Sequence, residues 1–149
     1  MTDTARVLLT AAILSGATVA TFAWRITRLD REEPARLIGE LRLAQWAAVL
    51  LAGLAMIPLG MVLEKPLVDT GNVDAAIGVM FLGLSGLLLQ RDPRDGLLWV
   101  SAAFVVHALV DIMHRPGWLS PDLSPRWFSI GCAVYNVFVA AVCYLARRR

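Results

Sequence analysis

Five long apolar runs, separated by short polar stretches, organise the 149-residue chain. They cover about residues 5–24, 43–63, 73–89, 97–113 and 127–146. Within each run apolar residues continue all the way round the helical turn, whereas a soluble amphipathic helix shows a polar face every few residues. Each run approaches the roughly 17–25 residues that a helix needs to cross hydrocarbon. The third and fourth lie at the short end, as expected of a helix that stands nearly upright or thins the bilayer locally. The pattern predicts an all-α integral membrane protein, a single domain over residues 1–149 built as a compact bundle of five transmembrane helices.

The polar punctuation refines this outline. Asp30-Arg31-Glu32-Glu33-Pro34 reads as a helix start, with acidic residues and a proline suited to the first turn. Leu37, Ile38 and Leu41, interleaved with Arg36, Glu40 and Arg42, predict an amphipathic turn in the cytoplasmic interface that leads into the second span. Pro58 removes a backbone donor and predicts a kink, eased by Gly53 and Gly60. Gly78, Gly83, Ser85 and Gly86 in the third run, and Thr10, Ser15, Gly16, Thr18 and Thr21 in the first, predict close helix approach. The segment from His114 to Arg126 contains Pro116-Gly117, then two serines and two further prolines in Ser120-Pro121-Asp122-Leu123-Ser124-Pro125, which favours a small irregular cap over a regular helix.

Composition agrees with the pattern: 58% of residues are hydrophobic and only 17% charged. The formal charge of +2 carries less information than where the charges fall. Arg25, Arg28, Arg31, Arg36, Arg42, Arg91, Arg94, Arg147, Arg148 and Arg149 lie on one side of the predicted bundle, and Arg6, Lys65, Arg115 and Arg126 on the other. The positive-inside rule then puts the N-terminus outside and the C-terminus in the cytoplasm of a multi-pass cell-membrane protein, the inner membrane in a bacterium. Trp24, Trp46 and Trp99 fall at cytoplasmic ends of spans, with Trp118 and Trp127 at outer ends, as in an interfacial aromatic belt. A rival topology treats the first run as a signal peptide cleaved near Thr18-Val19-Ala20, which would expose the densest basic loop outside. No basic stripe with interleaved aromatics predicts nucleic-acid binding. The partners implied are the lipid bilayer and, for so small a bundle, a second copy or a larger membrane complex.

Candidate chemistry centres on His107-Ala-Leu-Val-Asp111-Ile-Met-His114. Offsets of four and seven place the three ionisable side chains within about 60° of one helix face. Such groups inside a membrane segment must find partners or water, so they mark a candidate site. In the predicted orientation they climb toward the outer surface. Glu64, Asp74, Cys132, Tyr135 and Asn136 are expected at the same level, with Ser129, as further ligand-binding groups in a polar outer half above an oily inner half.

Three readings fit these residues. His107, Asp111 and His114 form a nitrogen–oxygen set suited to copper, zinc or iron, completed by Glu64 or Asp74. Alternatively they form a helix-packing or proton-relay network in an accessory subunit. In the third, the cluster serves haem, a lipid or a quinone, although a two-histidine haem would need a second chain. No Gly-x-Ser-x-Gly elbow or phosphate-cradling glycine loop is present, which leans against an enzyme. Cys132 and Cys143 stand eleven positions apart on one predicted helix, about 16 Å of rise. A disulfide needs Cα atoms within about 7 Å, so the pair is expected to stay reduced.

Overall fold

The computed structural model describes residues 3–64, 71–114 and 126–149, and its regular structure there is entirely helical. The helices are α1 (Asp3–Ile26), α2 (Pro34–Glu64), α3 (Gly71–Leu88), α4 (Pro93–Met113) and α5 (Arg126–Arg148). Four of them, α1, α2, α4 and α5, are long and apolar enough to cross a membrane; the apolar stretch of α3, Val73–Leu88, is shorter. The expected cap and Trp118 lie outside the described residues.

Helix boundaries follow the local chemistry. Pro34 opens α2 and Pro93 opens α4, where the missing N–H costs nothing and the fixed φ suits the first turn. α2 passes through Pro58 without interruption and extends nine residues further toward its N-terminus than the apolar run alone implied. α4 lies along α5, α3 packs against α2, and α2 crosses α4, while α1 rests on α5 and α2. Ala44, Ala47, Ala48, Leu51 and Ala55 form a buried stripe along α2, facing Leu97, Val100 and Phe104 of α4 and Val139 and Cys143 of α5 in one core cluster. The small side chains bring backbones together: a Cβ at Gly96 would sit 3.3 Å from that of Ala44.

The outer face is apolar. Val7, Leu14, Trp46, Val79, Leu87 and Val134 are all more than half exposed. Meanwhile Arg36, Glu40, Asp74, Ser101, His107 and Asn136 are buried. Both cysteines are free, as their spacing required.

Several expectations need correction. Gly83 and Gly86 of α3 face open space, so they mediate no close approach; Gly78 does, since a Cβ there would lie 2.8 Å from Leu59. The turn around Arg36 is inverted relative to the predicted interfacial helix. Leu37 and Ile38 are exposed, while Arg36 and Glu40 are buried in contact with each other. The end of the bundle expected to be oily therefore holds a buried ion pair.

Arg36 explains the inversion. Its Nε donates to Glu40 Oε1 at 2.6 Å, Nη1 donates to the carbonyls of Ile26 and Leu29, and Nη2 donates to the carbonyl of Ala146. The last carbonyls of a helix have no partner of their own. One guanidinium thus satisfies the C-terminal end of α1, the turn beyond it and the C-terminal end of α5. Around it Arg31 donates to the carbonyls of Arg148 and Arg149, Arg94 to that of Arg31, and Arg147 to that of Arg94. This end of the bundle is knotted by arginine side chains on backbone oxygens.

Candidate functional site

At the opposite end α4 presents His107, Asp111 and His114 to a cavity of about 50 Å³, which Asp74, Ser129 and Cys132 also line. The one-stripe geometry expected from the sequence thus brings all three α4 residues to a common space. Their hydrogen bonds, however, divide them into two groups.

The deeper group is bridged by Asn136 of α5. Its Nδ2 lies 2.8 Å from His107 Nδ1 and 2.7 Å from Asp111 Oδ2, whereas His107 and Asp111 are 3.5 Å apart. An amide nitrogen only donates, so His107 Nδ1 accepts and the ring carries its proton on Nε2. The amide's two N–H groups are then both used, and Asn136 Oδ1 is buried with no partner among the described residues. Phe81 of α3 holds the imidazole from the other side, with ring centroids 4.6 Å apart in an edge-on arrangement.

The outer group joins α4 to α3. His114 Nδ1 lies 2.8 Å from the carbonyl of Val110, and its Nε2 lies 3.0 Å from Asp74 Oδ1. A carbonyl only accepts, so Nδ1 carries a proton. The contact between Nε2 and Oδ1 then contains one further proton, held by either the imidazole or the carboxyl group. Asp74 sits in the first turn of α3, a favourable place for a carboxylate, and His114 follows the last turn of α4, a favourable place for a cation. The other oxygen, Asp74 Oδ2, is buried on the cavity wall with no partner among the described residues.

The remaining expected residues separate. Cys132 and Ser129 line this cavity, as their stripe on α5 implied. Tyr135 turns the other way: its hydroxyl is 2.8 Å from Ser15 Oγ on α1. Glu64 is the last residue of α2, and its side chain lies outside the described set. Among the described residues no three His, Cys, Asp or Glu side chains are gathered as a metal ion would need. The reason is visible in the bonding, since His107 Nδ1 faces Asn136 and both nitrogens of His114 already have partners.

Sequence reasoning passed over the buried Arg36–Glu40 pair. Its signal was present in the i, i+4 spacing of opposite charges flanked by Leu37, Ile38 and Leu41. No protein-family model, curated protein or solved structure matches the chain. Its function must be argued from the site itself.

Proposed function

We propose that the protein is a multi-pass cell-membrane protein whose outer-half polar cavity binds a small polar species and holds exchangeable protons beside it. The apolar outer faces of the helices and their buried polar residues support the membrane reading, because this distribution suits hydrocarbon as the surrounding solvent. The arginine-rich end is cytoplasmic, and His114 lies toward the outside.

The observation that carries the site reading is the 3.0 Å contact between His114 Nε2 and Asp74 Oδ1, beside which Asp74 Oδ2 is buried on the cavity wall with no partner among the described residues. Polar atoms left unpaired in an interior cost free energy unless water or a ligand satisfies them. By volume the cavity has room for about three waters. Below His107 the core continues with Phe104, Val100 and Leu97, which offer a proton no relay. The site is therefore a one-sided proton-holding pocket, in an accessory or ligand-binding protein rather than a channel.

The chain has only two histidines, so nitrogen NMR of the ¹⁵N-histidine-labelled protein resolves the question. His107 should report the Nε2–H tautomer and His114 a protonated Nδ1. Asp74→Asn should change the His114 signals and leave those of His107 in place. Two rings in the same tautomer that ignore the substitution would sink the reading. Orientation has a separate test in cysteine labelling of intact cells, on a background without Cys132 and Cys143. A cysteine at position 118 should react and one at position 90 should be shielded.

A further inference from the structure

A second, much larger space of about 910 Å³ lies between α1, α2 and α5, within the range of small-molecule pockets. None of its described lining residues is charged, and Leu8, Ala12, Leu50, Ile57 and Trp127 set its character. Gly53 and Gly131 hold it open: both line it, and a Cβ on either would meet nothing within 4 Å. Its polar feature is the Tyr135–Ser15 hydroxyl pair. Ser15 donates to the carbonyl of Ala11 at 2.7 Å, so the phenol donates to Ser15 and keeps its own lone pairs as acceptors. Leu54, Phe128 and Cys132 line both this groove and the polar cavity, so the two spaces share a wall.

From this juxtaposition we infer that the groove binds an uncharged long-chain lipid, its hydrocarbon tail between α1, α2 and α5 and its hydroxyl- or carbonyl-bearing head against the shared wall. Tail chemistry follows from the apolar lining. A neutral head follows from the described lining, which offers no arginine or lysine to offset a phosphate, since burying an unpaired charge is costly. The small polar species of the proton-holding pocket is then water between that head and Asp74, Asp111 and His107. The inference rests on the membrane and polar-pocket reading above, and its test uses a different reporter.

Trp127 lines the groove, so a variant with Trp24, Trp46, Trp99 and Trp118 replaced by phenylalanine places a single fluorophore there. The probe is a decyl-substituted benzoquinone, an uncharged quencher, added to the protein in detergent. Saturable quenching is expected. Gly53→Leu or Gly131→Leu, which fill the groove without a clash, should weaken it about tenfold or more. Gly83→Leu, equally unhindered but on α3 away from the groove, should leave it unchanged, with thermal melts reporting that each variant is folded. Quenching that never saturates, or that survives Gly131→Leu in a folded protein, overturns the inference. Saturable quenching by phosphatidylglycerol with brominated chains in place of the quinone overturns it in favour of an anionic lipid. Because the readout is tryptophan emission, failure here and failure of the histidine tautomers are distinguishable.

Discussion

Arg36 and Glu40, one turn apart on α2, form a 2.6 Å ion pair with both side chains almost wholly buried, where the ends of α1 and α5 meet. Removing one member of a buried pair commonly costs about 3–5 kcal/mol, of which Arg94, with its Nε 3.7 Å from Glu40 Oε2, offsets a part here. Arg36→Met should therefore lower the thermal stability of the detergent-purified protein steeply. The double variant Arg36→Met/Glu40→Met removes the stranded carboxylate and tests what else the arginine does. It should remain less stable than wild type, because the carbonyls of Leu29 and Ala146 lose the arginine's donors and that of Ile26 keeps only the N–H of Leu29. Full recovery would reduce the knot to a simple charge pair.

Asn136 sets the protonation pattern of the deeper group by donating to two acceptors at once. Asn136→Ala removes both bonds and leaves His107 beside Asp111 with nothing between them. The imidazole should then move its proton to Nδ1 and turn toward Asp111 Oδ2, a tautomer change visible in its ¹⁵N signals. The accompanying loss of stability should be about 1–3 kcal/mol, the cost of leaving a buried acceptor unsatisfied. An unchanged Nε2–H ring in the variant would show that something other than Asn136 fixes the tautomer.

The contrast between the two ends of the bundle explains what was legible in the sequence. All five helices could be read because uninterrupted apolar runs need no knowledge of neighbours. The stripe of His107, Asp111 and His114 was legible for a similar reason, since spacing along one helix fixes which side chains share a face. Their division into two groups was not, because it depends on Asp74 arriving from α3 and Asn136 from α5. The burial of Arg36 was harder still. Its partners are main-chain oxygens at the ends of two other helices, and every residue has such an oxygen. Charged residues beside a span accordingly read as a water-facing turn, when Arg36 and Glu40 are the buried fastening at that end of the bundle.

Glycines in α3 were read alike and behave differently. A Cβ at Gly78 would meet three side-chain atoms of Leu59 at 2.8–3.2 Å, whereas one at Gly83 or Gly86 would meet none. Gly78→Ala should push α3 off α2 and cost about 1–3 kcal/mol as overpacking. Gly83→Ala should be neutral or stabilising by up to about 1 kcal/mol, through helix propensity alone. Thermal melts of the two single variants decide between this asymmetry and a generic small-residue requirement along the helix.

α1 is the least buried of the four long apolar helices, so its attachment rests on few contacts. One is the Ser15–Tyr135 hydroxyl bond of 2.8 Å, and another is the approach of Gly16 to Phe138 and Tyr135. Interhelical hydrogen bonds in membranes average about 0.6 kcal/mol and reach about 1.7. Tyr135→Phe and Ser15→Ala should each destabilise within that range, with a coupling of similar size in the double-mutant cycle. The bond also forms part of the wall of the large groove, so Tyr135→Phe removes an acceptor that faces the proposed lipid head. It should weaken quenching of the Trp127 reporter while Gly83→Ala does not. A coupling near zero would mean that the hydroxyl pair adds nothing to the packing around Gly16 and the Arg36–Ile26 bond that also hold α1.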